Sequence, residues 1–215
     1  MPTRLKRLRA GGRWSEWLAA GCAGAILLIG LRAAEPARVD FQARDIDGRG
    51  LAPAEPGARA TVWVFLAHDC PICNAYAPEL IRLQAAYAPK GVQWRTVYAE
   101  PDLGLPDLRA HARGYGLTMV LVADPDLQLA QACGVTVTPE VVVMDAQARL
   151  AYRGRIDDRW PELGHPRAHP QTHDLAAALD ELLARQPVIH PRTVAVGCAI
   201  EAPLVPVAKV SAKVH

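Results

Sequence analysis

Apolar positions change period in a regular order along the 215 residues. The run Ala60-Thr-Val-Trp-Val-Phe-Leu-Ala67 is continuous, short and apolar and reads as a strand. Directly after it Ile72, Tyr76, Leu80, Leu83 and Tyr87 recur at steps of three or four, which places them on one face of a helix ending near Tyr87. The alternation continues. Arg38 to Arg44 reads as extended chain before a turn at Asp47-Gly48, Val92 to Tyr98 as a strand, Pro106 to Gly114 as a short helix, and Met119 to Val122 as a strand. A helix from Pro125 to Cys133 leads into the strand Glu140 to Met144, and a turn at Asp145 to Ala148 returns the chain as Leu150 to Arg153. Leu175, Leu179, Leu182 and Leu183 mark a last amphipathic helix that Pro187 stops. Such alternation predicts an α/β fold, a central sheet covered by helices on both faces, with a closing hairpin.

The junction of the first long strand and its helix reads Cys70-Pro-Ile-Cys73. A helix N-terminus leaves amides unpaired and presents partial positive charge, so a cysteine there is favoured as a thiolate. C-x-x-C cysteines in this position have pKa values lowered to about 3.5 to 7.5. Cys70 would attack a disulfide, and Cys73, one turn inward, would resolve the mixed disulfide. Two plainer readings compete. A structural zinc site wants four ligands, and no second C-x-x-C occurs, with His68 the nearby imidazole in sequence. A static disulfide would close too short a loop to gain much. The strand, turn and helix context favours redox chemistry.

Length and a 51% hydrophobic, 21% charged composition fit one domain with appendages. The formal net charge of +2 makes no case for nucleic acid, because much of the basic excess lies at the very start. That start is basic through Arg13, apolar from Trp17 to Leu31, and then Arg32-Ala-Ala-Glu-Pro-Ala37, the order of a secretory signal. Residues 1–37 are therefore expected to be a signal peptide or an N-terminal membrane anchor, with 17–31 as the tether if retained. The predicted location is exported, periplasmic or on the extracytoplasmic face of the membrane. Cys22 sits in a stretch similar to a lipoprotein cleavage box, but the apolar run continues nine residues past it. The predicted domain spans 38–186, followed by a tail at 187–215.

Export would leave Cys70, Cys73, Cys133 and Cys198 where disulfides persist. Cys133 falls four after Leu129 and reads as a core residue. Cys198 lies in a short apolar patch, Thr-Val-Ala-Val-Gly-Cys198-Ala-Ile, of an otherwise irregular tail, and reads either as a third redox thiol or as a buried small hydrophobe. His165, His169 and His173 are spaced by four, but Pro166 and Pro170 interrupt any helix that would align them, so a solvated loop is expected there rather than a metal site. Arg153, Arg155, Asp157 and Asp158 read as a hydrated charged loop. No Cys-x-x-Cys-His occurs, and no cofactor is expected.

Taken in order, Cys70-Pro-Ile-Cys73, Pro78 five residues after the second cysteine, and Val135-Thr-Val-Thr138-Pro139 before a β-branched strand resemble the thioredoxin superfamily over about Val39 to Arg185. More narrowly, Asp69 to Leu80, Val135 to Glu140, Tyr152 to Asp158 and Gly197-Cys-Ala-Ile200 resemble the bacterial redoxin, or peroxiredoxin-like, group. The resemblance implies a thioredoxin-like fold with a central mixed sheet, a kink at Pro78 and a cis Pro139 beside the dithiol. Thr138 would offer its backbone N–H and C=O to an extended substrate as a short stretch of added strand. From the residues alone, Thr138-Pro139 reads equally as a strand-entry turn. The last string raises Cys198 to a candidate participant.

Departures from the two patterns separate the activities. The peroxide-orienting proline and threonine of peroxiredoxins are replaced by Trp63 and Ala67 counting back from Cys70, or by Leu66 and Cys70 counting from Cys73, and no arginine adjoins Pro139. The buried acid of thioredoxins is replaced by Val64, and the aromatic before the first cysteine by Asp69. Asp69 disfavours the neighbouring thiolate, whereas a protonated His68 favours it. The expected function is thiol-disulfide exchange through Cys70 and Cys73, with protein thiols and disulfides or a small thiol reductant as partners. The alternatives are an antioxidant peroxidase using Cys70 or Cys73, and a carrier in which the cysteines and His68 hold a soft metal ion.

Overall fold

The computed structural model describes residues 38–201. The expected signal or anchor at 1–37, with its 17–31 run and Cys22, lies outside them, as do residues 202–215. Among the described residues no helix is long and apolar enough to cross a membrane.

The chain runs β1 (Ala43–Arg44), β2 (Gly50–Leu51), β3 (Ala60–Leu66), α1 (Pro71–Tyr87), β4 (Val92–Tyr98), α2 (Leu105–Gly114), β5 (Val120–Ala123), α3 (Gln128–Cys133), β6 (Val137–Thr138), β7 (Glu140–Asp145), β8 (Leu150–Gly154), α4 (Asp174–Leu183) and β9 (Cys198–Ala199). Five strands form the central sheet in the order β5-β4-β3-β7-β8. β3 pairs parallel with β4 and antiparallel with β7, so the sheet is mixed. β7 and β8 form the expected antiparallel hairpin.

The unbroken apolar run of β3 follows from its central place, with both faces covered. Val62, Val64 and Leu66 pack with Ile72, Tyr76, Leu80 and Leu83 of α1 and with Leu175 and Leu179 of α4. Trp63 and Phe65 point to the other face, where Leu129, Ala130 and Cys133 of α3 and Leu51 of β2 cover them. Helices therefore lie on both faces, as an α/β thioredoxin-like fold requires. Cys133 is a core residue, 3% exposed.

Local departures from the sequence reading have physical causes. α3 starts at Gln128 rather than Pro125. The Asp124 carboxylate accepts the N–H groups of Leu129 and Ala130 at 3.1 and 2.9 Å, and Leu127 takes a left-handed conformation at φ 55°. The helix thus begins where a reaching side chain satisfies its first amides. The extended segment at 38–44 contributes one short strand, Ala43–Arg44, paired with Gly50–Leu51 around Gly48 at φ 86°, and an isolated bridge from Arg38 to Arg149.

The charged stretch after β8 is not a hydrated loop, and that expectation is corrected. Asp157 and Asp158 are 2% and 5% exposed. Asp157 accepts the Tyr76 hydroxyl of α1, and Asp158 accepts the N–H groups of Gln171 and Thr172 at 2.6 and 2.9 Å and pairs with Arg167. Arg155 pairs with Asp174 at the start of α4 at 2.9 Å. Asp157 and Asp158 are buried, Arg155 and Arg167 are partly exposed, and through these contacts the segment after β8 is fastened onto α1 and α4.

Candidate active site

β3 delivers the chain to α1 at the C-terminal end of the central strand. Cys70 is the residue before the first helical turn, with φ −77° and ψ 114°, and Pro71 opens the helix, where a missing N–H costs nothing. Cys70 is 1% exposed and Cys73, facing the core one turn on, is also 1% exposed. The Ala67 N–H points at Cys73 Sγ at 3.5 Å. On the other side of the pair, Thr138-Pro139 is a cis peptide, as the resemblance implied. The Thr138 carbonyl oxygen lies 3.4 Å from Cys70 Sγ. The sequence candidates Cys70, Cys73, Thr138 and Pro139 are therefore brought together at one point.

The two thiols differ in acidity. Cys70 is lowered from 9.0 to about 5, first by a hydrogen bond from Cys73, with burial opposing and a further hydrogen bond from Cys198 assisting. Cys73 is pushed far up by burial and then by the neighbouring Cys70 charge. Near neutral pH the site holds a Cys70 thiolate receiving the Cys73 S–H. As a thiolate, Cys70 cannot donate to the Thr138 oxygen, so that approach positions the sulfur without a hydrogen bond.

A polar clasp that sequence reading missed supports the turn. His68 donates its backbone N–H to Glu100 at 2.7 Å, and its ring Nδ1 lies 2.7 Å from the same carboxylate. The hydrogen bond to Glu100 is the main cause that raises the His68 pKa. A raised His68 stays cationic to higher pH, which favours the adjacent thiolate, against the opposing charge of exposed Asp69. Asn74 donates to the His68 carbonyl at 3.2 Å and presents its own oxygen to His111 Nε2 at 2.8 Å. Burial lowers the His111 pKa. Neutral His111 therefore carries its proton on Nε2, and Nδ1 accepts from the Tyr98 hydroxyl at 2.8 Å. Nothing in sequence links residues 68, 74, 98, 100 and 111. An asparagine directly after a C-x-x-C was the one local signal available.

The largest addition comes from the tail. Arg153 donates its backbone N–H to the Pro191 carbonyl at 3.0 Å and accepts from the Thr193 N–H at 3.1 Å, which carries the tail along β8. The Thr193 hydroxyl accepts the Arg155 N–H at 3.1 Å and lies 2.6 Å from the Tyr152 hydroxyl. The tail then crosses to β6, where β9 pairs antiparallel with Val137 opposite Ala199 and Thr138 opposite Cys198. Cys198 Sγ stands 2.6 Å from Cys70 Sγ. The tail read as irregular thus carries a short strand directly over the dithiol.

The alternatives fare less well in this geometry. At the positions where peroxiredoxins orient peroxide, Trp63 is buried and donates its indole N–H to Pro53 at 2.9 Å, and Ala67 has no polar side chain. Among the described residues, the groups with three metal-ligand atoms within 4.8 Å of one another are His68, Asp69 and Glu100, and Glu79, Asp157 and His173. Neither includes a thiol. His165 and His169 are exposed and join no such group.

A family model described as Redoxin matches residues 41–169. The chain belongs to the Redoxin family. At a general level this redoxin is a thioredoxin-type redox protein, an oxidoreductase. Among solved structures, a hypothetical protein from Sinorhizobium meliloti 1021 is similar at 25% identity and a TM-score of 0.70, covering 80% of this chain and 97% of its own. An uncharacterized conserved protein from Geobacillus kaustophilus is similar at 26% identity and a TM-score of 0.69, covering 80% and 93%. MTB DsbF, solved in mixed oxidised and reduced forms, shares the fold at 21% identity and a TM-score of 0.52, covering 69% of this chain and 98% of its own. No curated protein matches the chain.

Proposed function

We propose that this redoxin exchanges thiols and disulfides through Cys70 and Cys73. The observation that carries the reading is the asymmetry of the pair. Cys70 is lowered to about 5 at the start of α1, while Cys73 is held protonated beneath it. The Cys70 thiolate attacks a substrate disulfide, forms a mixed disulfide and expels one substrate thiolate. Cys73 then attacks Cys70 Sγ, releases the second substrate thiol and leaves the Cys70–Cys73 disulfide. Forming the mixed disulfide removes the charge on Cys70, and with it one of the causes that keep Cys73 protonated.

The substrate class is an extended protein segment carrying a thiol or disulfide, or a small thiol, laid against the Thr138-Pro139 edge. The basic and then apolar order of the first 37 residues supports an exported protein. Reduction of insulin disulfides by dithiothreitol tests the reading. The wild-type protein should accelerate it and Cys70→Ser should fall to the uncatalysed rate, whereas wild-type activity in Cys70→Ser would overturn it.

A further inference from the structure

The edge that a substrate strand would use is already paired. β9 lies antiparallel to β6, with Cys198 opposite Thr138, the residue that adjoins Cys70. The approach is tight: a Cβ on Gly197 would stand 1.9 Å from the Thr138 carbonyl oxygen, so only glycine at 197 lets the tail lie so close. The anchorage is continuous. Arg153, Arg155 and Tyr152 hold Pro191 and Thr193, and the Ile200 N–H donates to the Thr136 carbonyl at 3.0 Å beyond the cysteine. Cys70 and Cys198 are both free thiols, and their sulfurs are direct neighbours.

We propose that Cys198 is a third redox thiol of the site, which resolves mixed disulfides on Cys70 by forming a Cys70–Cys198 disulfide, with β9 as the built-in occupant of the substrate edge. This rests on the reading of Cys70 as the attacking thiolate. With oxidised glutathione as the oxidant, Cys70 displaces one glutathione thiolate and becomes a Cys70–glutathione mixed disulfide. Cys198 loses its proton to water and attacks Cys70 Sγ. The Cys70–Cys198 bond forms, the bond to glutathione breaks, and the second glutathione leaves and takes up a proton. Two protein thiols are oxidised and one glutathione disulfide becomes two thiols. Cys73 can next attack Cys70 Sγ, which transfers the disulfide to the Cys70–Cys73 pair and frees Cys198 with no net change in electrons.

The chemistry of Cys198 suits this order. While Cys70 is a thiolate, burial and then the hydrogen bond and charge of Cys70 push the Cys198 thiol up to about 12. Once Cys70 is in a mixed disulfide the charge is gone, so Cys198 becomes easier to ionise only when there is a bond for it to attack. Cys198 is partly exposed, which lets its proton reach water. The surface edge that would otherwise await a partner is thereby blocked until a substrate displaces β9 or a reductant releases it.

The test uses the full chain as Cys73→Ser, equilibrated with oxidised and reduced glutathione and mapped by mass spectrometry. A tethered thiol has an effective concentration of millimolar or more, so the Cys70–Cys198 link should persist against about 1 mM total glutathione. Glutathione on Cys70 with Cys198 free would overturn the proposal. Adding Gly197→Ala should move the population from the Cys70–Cys198 link to glutathione on Cys70, and an unchanged link there would overturn the role given to the β6–β9 pairing. Cys198→Ser alone reads the underlying pair separately. A Cys70–Cys73 disulfide there upholds the reading of the pair, and its absence counts against that pair whatever Cys198 does.

Discussion

At the scale of single residues the site is a set of three thiols with one charge. Cys73 contributes most to holding Cys70 at about 5, and Cys198 contributes less. Removing the Cys73 donor as Cys73→Ala should therefore raise the Cys70 pKa towards 9.0 by more than Cys198→Ala does. The rate of iodoacetamide alkylation against pH measures both. The same shift links to stability. The Cys70 pKa is lower folded than unfolded, so its contribution is fully present above 9.0 and is lost as pH falls through about 5. Cys73 and Cys198 are raised, so well below 9.0 both stay protonated in folded and unfolded chains and give stability no slope with pH. The stability difference between the reduced protein and Cys70→Ala, followed by urea denaturation, should grow from pH 5 to pH 9. A flat difference would contradict the lowered pKa. The chemistry of Cys70 was legible from its place before a helix. The donors that tune it stand three and 128 residues away, and although the sequence offered Cys198 as a candidate thiol, nothing local placed it against Cys70.

At the scale of elements, α1 does two tasks through opposite ends of one periodic pattern. Its apolar face locks it to β3, with Leu80 fully buried. Leu80→Ala should cost about 2 to 5 kcal/mol in denaturant unfolding through lost transfer free energy and the cavity left behind. Its first turn is held by the clasp that joins His68, Asn74, His111 and Tyr98. The Tyr98 hydroxyl belongs to a residue 1% exposed, and His111→Ala leaves it without that partner. Such an orphaned group costs about 1 to 3 kcal/mol, so His111→Ala should destabilise by that order although His111 itself lies on a helix flank. The four helices and the five strands of the central sheet were readable because each follows a short pattern, whereas the two-residue strands β2, β6 and β9 were not. The clasp was not, because its members come from four separate places in the chain and each alone is an ordinary polar residue.

At the scale of the whole molecule, the tail closes over the sheet along a path set by backbone rather than by side-chain pattern. Gly154 has φ 151°, and a Cβ there would meet the Thr193 hydroxyl at 2.1 Å and the Thr193 carbonyl oxygen at 2.4 Å. Gly154→Ala should therefore push the tail off β8 and add backbone strain of order 1 to 3 kcal/mol. Limited proteolysis should then cut after α4, within residues 187–201, faster than in the wild type, and an unchanged cleavage pattern would argue against this anchorage. The buried carboxylates of Asp157 and Asp158 act on the same scale. They bind the segment after β8 to α1, which carries the dithiol, and to the approach to α4.

Pro139 beside the dithiol was implied only by the family resemblance, whereas the sequence by itself determined the α/β alternation, the short apolar strand before the first long helix, and the placement of Cys70 and Cys73 at that helix start. These are consequences of period and of local backbone chemistry, which a short window of residues contains. Only the tertiary structure decided that β9 takes the edge at Thr138, that Cys198 rather than a distant group meets Cys70, and that Asp157 and Asp158 are buried. Strand pairing and charge matching join residues far apart in the chain, and their energies depend on the partner each finds. A glycine before Cys198 permits the tail to approach Thr138, yet its meaning appears only when the opposing carbonyl is in place.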